Sequence, residues 1–173
     1  MSMHTWRNIL SSLLVVLLAL SIIIRPAKTS GFNGQVGQSV NHIRVVSGSG
    51  KTKTLGQILH HHPALINFFA TWCPACKMEL PDLHQVVAAP NQLILISQGN
   101  SASTAVFLQH YGIASDHSFY DPSGHVFNSF FITTLPTSYF VNRNGIIVSK
   151  VIGPMTPHLI RQNLRLADTS QER

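Results

Sequence analysis

The apolar positions of this chain form one long run near the start and a series of short runs separated by turn-forming residues. The long run, Ile9 to Ile24 (ILSSLLVVLLALSIII), carries no charge and three serines. As a helix its 16 residues span about 24 Å at 1.5 Å per residue, a little short of the ~30 Å hydrocarbon core of a bilayer. Trp6 at the interface, and Arg7 and Arg25 with their charged heads extended outward, make up the difference. No face of the run is polar, which argues against a core helix of a globular domain.

Beyond it, Arg25 to about Gly37 is rich in Gly, Ser, Thr and Pro without apolar periodicity and reads as a linker. From about Ser39 the pattern becomes that of one α/β domain. Ile43–Val46 predicts a short strand closed by a Ser-Gly-Ser-Gly turn, and Ala64–Ala70 a buried strand. A helix opens at Cys73 and runs to about Val87, with Pro81 inside it expected to kink it. Leu93–Ser97 predicts a second buried strand, and Ser103–Tyr111 a helix with Ser101 or Ser103 as its cap. Thr137–Val141, the turn Asn142-Arg143-Asn144-Gly145 and Ile146–Ile152 form a hairpin signal, because Asn-Gly tolerates positive φ. Pro157–Ala167 is a terminal helix. The order strand, helix, strand, helix, hairpin, helix is that of an α/β protein. The expected organisation is a cytoplasmic stub with membrane anchor (or uncleaved signal) over residues 1–28, a linker over 29–38, the domain over 39–167 and a frayed tail over 168–173.

Composition changes this picture little. Lys and Arg number 12 against 6 Asp and Glu, a formal charge of +6, but the cations are scattered from Arg7 to Arg173 with no basic run or basic–aromatic stripe. Nucleic-acid binding is not expected. The stretch after Ile24, Arg25-Pro26-Ala27-Lys28-Thr29-Ser30, offers no Ala-x-Ala cleavage site and no lipoprotein cysteine, which favours an uncleaved anchor. The leading side carries Arg7 and the amino terminus, so it is placed in the cytoplasm and the domain outside.

The two cysteines carry the chemistry. Cys73 and Cys76 are the whole complement, so a framework of structural disulfides is excluded. A cysteine that opens a helix just after a buried strand meets unpaired N–H groups and the helix dipole, which favour the reactive thiolate. The second cysteine, three residues on, lies within one turn and can close a disulfide with the first. Cys73 is then the attacking thiol and Cys76 the resolving one, and Pro74 suits the first helical turn. Half a zinc site is the competing reading of CxxC. It needs two further ligands, there is no third cysteine, and His60-His61-His62 sit on a loop before the strand; no metal is expected. Gly48-Ser49-Gly50-Lys51-Thr52 imitates a phosphate-binding loop, but the required earlier glycine is Val45, and a hairpin turn is the better reading.

Asn67-Phe68-Phe69-Ala70-Thr71-Trp72-Cys73-Pro74-Ala75-Cys76-Lys77-Met78-Glu79-Leu80-Pro81 resembles the active-site segment of the TlpA/ResA/DsbE (CcmG) group of bacterial thiol–disulfide proteins. The likeness continues through Tyr120–Gly124, Thr134–Gly145 and Gly153-Pro154, so it spans roughly residues 39–167. It implies a thioredoxin-like fold, a central mixed sheet flanked by helices, preceded here by the N-terminal transmembrane helix. It also implies that Pro136 is a cis-proline beside the cysteines, with the Leu135 backbone free to pair with an extended substrate and Trp72 and Pro74 bordering the substrate site. Glu79 matches the group's active-site glutamate, a carboxyl group able to move a proton as the thiols change state. Asn67 stands where thioredoxin has a buried aspartate, and Phe69 where the group often has tryptophan.

The resemblance implies a disulfide reductase with no cofactor beyond the Cys73–Cys76 couple. It would be fed by a membrane electron donor of the DsbD/CcdA type and act on protein thiols and disulfides, with apocytochrome c in cytochrome c maturation as a candidate. The place expected for it is the bacterial inner membrane, crossed once, with the catalytic domain facing the periplasm. The alternatives are a disulfide oxidase or isomerase, and a copper-binding metallochaperone using Cys73, Cys76 and a histidine.

Overall fold

In the computed structural model, residues 31–87, 92–114, 116 and 118–170 are described. The anchor expected over Ile9–Ile24 lies outside them. Among the described residues, no helix is long and apolar enough to cross a membrane.

The organising element is β3 (Ala64–Phe69), whose six residues are all buried. Its neighbours are β4 (Leu93–Ser97), paired parallel, and β6 (Thr137–Val141), paired antiparallel. Strands β1 (Arg44–Ser47), β2 (Thr52–Thr54), β5 (Ser118–Tyr120) and β7 (Ile147–Ile152) complete one seven-stranded mixed sheet in the order β2-β1-β5-β4-β3-β6-β7. A strand buried on both faces needs no polar side, which is why β3 and β4 read as apolar runs interrupted only by Asn67 and ended by Ser97.

Alternation along β3 divides the core in two. Ala64, Ile66 and Phe68 point to one face, where they pack with Leu55, Ile58 and Leu59 of α1 (Leu55–Leu59) and Val126 and Phe127 of α4 (His125–Ser129). Leu65 and Phe69 point to the other, against Leu80 and Leu83 of α2 (Pro74–Val86), Leu108 of α3 (Ser101–His110) and Ile160 and Ala167 of α5 (Pro157–Thr169). Asn67 shares the parity of this second face, so the strand itself delivers one amide beneath α2.

Several elements differ from the sequence expectation. Thr54 caps α1 through a capping box: its hydroxyl accepts from the Gln57 N–H at 3.2 Å, and the Gln57 side chain accepts from the Thr54 N–H at 2.9 Å. The hairpin turn expected at Gly48–Thr52 is closed by β2, and the helix that follows it was not expected. Asn100 caps α3, accepting from the Ser103 N–H at 2.9 Å, so the helix starts at Ser101 with neither serine as its cap. β5 and α4 were not anticipated, being three and five residues long. Helix α2 contains Pro81 within its span, and α5 extends to Thr169.

The hairpin is as expected. β6 and β7 pair antiparallel, and Asn142 Oδ1 accepts from the N–H groups of Asn144 and Ile146, each at 3.0 Å. The Gly-Ser-Gly-Lys segment is a turn between β1 and β2, with the Ser47 N–H donating to Lys51 O at 2.9 Å. Residues 37 and 38 lie along β7: the Gly37 N–H donates to Ile147 O and the Ile147 N–H to Gln38 O.

Candidate active site

The site is built where β3 ends and α2 begins. Cys73 is the N-cap of α2, Pro74 occupies the first turn, and the Cys76 N–H donates to Cys73 Sγ at 3.3 Å. This is one of the orphan N–H groups at a helix start, directed at a sulfur instead of a hydroxyl or carboxylate. Both cysteines are free and buried, Cys73 at 5% exposure and Cys76 at 1%.

The Leu135–Pro136 peptide is cis, and Leu135 O lies 3.7 Å from Cys73 Sγ. The loop carrying it enters β6, which pairs with β3, so the sheet register brings the proline loop to the cysteines. Trp72 is 70% exposed and forms one wall of a cavity of about 290 Å³. Gln98, Asn128, Thr133, Thr134 and Leu135 also line it, and Cys73 is at its edge. No charged side chain is among them. Pro74 is exposed on the same helix start.

Glu79 lies one turn beyond Cys76 and is 2% exposed, a buried carboxyl group rather than a solvated one. Its Oε1 accepts from the Met155 N–H at 2.9 Å, and its Oε2 accepts from Asn67 Nδ2 at 3.0 Å. Asn67 Nδ2 also donates to Ser138 Oγ at 2.9 Å. Burial pushes the Glu79 carboxyl up from 4.5 to about 7; the hydrogen bonds from Met155 and Asn67 pull against that rise, and Asp82 adds to it slightly. Burial also pushes the Cys76 thiol up from 9.0 to about 12, helped by its hydrogen bond with Cys73 and by the negative charges of Cys73 and Glu79, and opposed by the Ala70 backbone. Burial thus favours the neutral form of both groups, which lie three residues apart on α2.

The sequence therefore named Cys73, Cys76, Glu79, Leu135 and Pro136 as one constellation, and the fold assembles them. Ser138, the Met155 N–H and the polar lining of the cavity were missed, since they come from the strand and loops that tertiary pairing brings in. The only sequence signal for Ser138 is its place two residues beyond Pro136. His60, His61 and His62 are exposed at the opposite end of β3 from the cysteines. Among the described residues no group of three His, Cys, Asp or Glu could hold a metal ion.

A mixed sheet flanked by helices, with a CxxC at a helix start facing a cis-proline, defines a dithiol site on a thioredoxin-like fold. The chain belongs to the AhpC/TSA family, whose model matches residues 36–150. It is 30% identical over 105 residues to the sporulation thiol-disulfide oxidoreductase A of Bacillus subtilis, covering 57% of this chain and 64% of that protein. It is 28% identical over 106 residues to the thiol-disulfide oxidoreductase ResA of the same organism, covering 58% and 59% respectively. The match thus spans less than two thirds of the length of either relative. Among solved structures, DsbF of Mycobacterium tuberculosis superposes with a TM-score of 0.65 at 22% identity, over 76% of this chain and 98% of that one. A thioredoxin-family thiol:disulfide interchange protein of Chlorobium tepidum gives 0.63 at 21% identity, over 77% and 97%.

Proposed function

We propose that this chain is an extracytoplasmic thiol–disulfide oxidoreductase that works as a protein disulfide reductase. One observation carries the reading. Cys73 Sγ sits between a helix-start N–H and the cis-proline loop, with Cys76 and Glu79 buried on the same helix.

The chemistry follows in balanced steps. The Cys73 thiolate attacks one sulfur of a substrate disulfide, forming a mixed disulfide and expelling the other substrate sulfur as a thiolate, which takes up a proton. Glu79 accepts the proton of Cys76, and the Cys76 thiolate attacks Cys73 Sγ. That closes the Cys73–Cys76 disulfide and releases the second substrate sulfur as a thiolate, which is then protonated. Two electrons have passed from the cysteine pair to the substrate. A thiol donor reverses the sequence to restore the dithiol.

The TlpA/ResA/DsbE resemblance and relatives named thiol-disulfide oxidoreductases support the assignment. On the same footing, the domain faces the periplasm from a single-pass anchor. It takes electrons from a membrane donor of the DsbD/CcdA type and serves protein substrates, with apocytochrome c the leading candidate. No cofactor is assigned beyond the cysteine pair. The copper alternative gains no support, because the described residues bring no third donor to Cys73 and Cys76.

Equilibration of the couple with glutathione or dithiothreitol buffers, read by thiol alkylation, tests the direction. A potential near that of a thioredoxin-type reductant, about −270 mV, together with insulin reduction, is expected. A value near the strong oxidant range, about −120 mV, overturns the reductase reading and leaves an oxidase or isomerase.

A further inference from the structure

Asn67 is 1% exposed and lies on the central strand β3, yet its side chain is not satisfied as an ordinary core amide is. Both donors of Nδ2 are used, one on Glu79 Oε2 at 3.0 Å and one on Ser138 Oγ at 2.9 Å, while Oδ1 is buried with no partner. Buried amides in native cores are nearly always paired at both ends. Both N–H groups are committed to these two oxygens, one on α2 and one on β6. An ionised carboxylate is acceptor-only, so facing it requires the NH₂ end of the amide. Ser138 Oγ accepts the second N–H and anchors the amide to β6. Asn67 and Ser138 sit directly opposite in the antiparallel β3–β6 register, so their contact is built into the sheet.

We propose that Asn67 is a positioning residue of the dithiol site. Its amide, clamped by Ser138, holds the Glu79 carboxylate and sets the pH at which Glu79 exchanges its proton. An aspartate at 67 would titrate in its own right, whereas the amide can only tune its neighbour. Ser138 lies two residues beyond Pro136 on the strand the cis-proline loop enters, so the clamp also ties the proton acceptor to the segment that faces substrate.

Among the described residues, the groups that face Glu79 are few. Cys76 and Asp82 lie on α2 with it and interact with it electrostatically. From the other elements come Asn67 on β3, Ser138 through Asn67, and the Met155 N–H ahead of α5, none of which titrates near neutrality. His158 and Arg161 of α5 are exposed.

The inference rests on the oxidoreductase reading for its consequence but not for its test. In the full chain labelled with ¹³C and ¹⁵N, the Glu79 carboxyl and the Asn67 side-chain NH₂ are followed by NMR across the neutral range. They are expected to titrate with one midpoint. Asn67→Leu, which cannot donate, is expected to raise the Glu79 midpoint by about 1 in pH, a tenfold change in proton affinity. Ser138→Ala is expected to move it the same way by less. Should the leucine variant fail to fold, Asn67→Ala removes the donor without adding bulk or a second titrating group, and is expected to raise the midpoint too. An Asn67 NH₂ signal indifferent to the Glu79 titration, or a Glu79 midpoint unchanged in a folded Asn67 variant, overturns the proposal. A chain that proved unable to exchange disulfides would leave these titrations readable, so the two failures are distinguishable.

Discussion

At the scale of the residue, the site is a set of groups whose environments hold protons in unequal ways. Glu79 has an ordinary value of 4.5 and is raised to about 7 by burial, so between those pH values the folded chain holds a proton that the unfolded chain has lost. Stability from this group is therefore present at low pH and is lost as pH rises through that window, on the order of 3 kcal/mol in all. Glu79→Gln removes the ionising group. Urea unfolding is expected to lose that slope, and the variant to be the more stable form at pH 8. The same variant should slow disulfide reduction, because Cys76, raised to about 12, loses its proton acceptor. The order of attack makes a separate prediction. Cys76→Ala leaves Cys73 able to form a mixed disulfide and unable to release it, so partners should be trapped as adducts that reductant dissolves. A Cys73→Ala variant should trap none, as read on non-reducing gels.

At the scale of the element, short pieces hold together through caps and turns that local sequence only partly announces. Helix α4 has five residues and no side-chain cap at Gly124. Asp121, 3% exposed, supplies the missing acceptor: its Oδ2 takes the Phe127 N–H at 2.9 Å and its Oδ1 the Ser123 hydroxyl at 3.3 Å. Asp121→Ala leaves a buried N–H unpaired and should cost about 1–3 kcal/mol in denaturant unfolding. It should also disturb the cavity wall, because Phe127 and Asn128 line it. The β6–β7 turn depends on Gly145, whose φ is +71°. A side chain there would be strained by the backbone and would meet Asn41, whose Nδ2 donates to Asn144 O at 2.8 Å. Gly145→Ala is expected to lower the melting temperature while leaving Cys73 alkylation unchanged.

At the scale of the whole molecule, the two cores on either face of the sheet share β3. Phe68 is fully buried and meets Phe127 at 5.0 Å, Phe130 at 4.9 Å and Tyr139 at 5.8 Å between ring centroids. Phe68→Ala opens a cavity beneath both α4 and β6 and should cost about 3–5 kcal/mol by thermal or urea unfolding. Ile132 and Leu135 of the proline loop pack against this core, so loss of activity is expected to follow loss of stability.

How far the sequence carried the reading differs by element for physical reasons. Buried strands β3 and β4 were legible because both faces are apolar, and the β6–β7 hairpin because Asn-Gly demands a particular backbone. β5 and α4 were not, since three and five residues give no periodicity to count. The Thr54–Gln57 capping box is present in the sequence, but the five-residue helix it opens has too little periodicity to mark it. Asn100 went unread as a cap because adjacent serines compete for that role.

The sequence by itself determined the thiol pair, its place at a helix start after a buried strand, and, through resemblance, Glu79 and Pro136. Tertiary structure alone decided that Glu79 is buried, that Asn67 turns its amide to it, and that Ser138 and the Met155 N–H complete its surroundings. A motif can specify which groups are present because chain neighbours remain neighbours in any fold. The proton affinities of those groups depend on water exclusion and on partners from distant strands, and only pairing β3 with β6 and packing α2 over them supplies both.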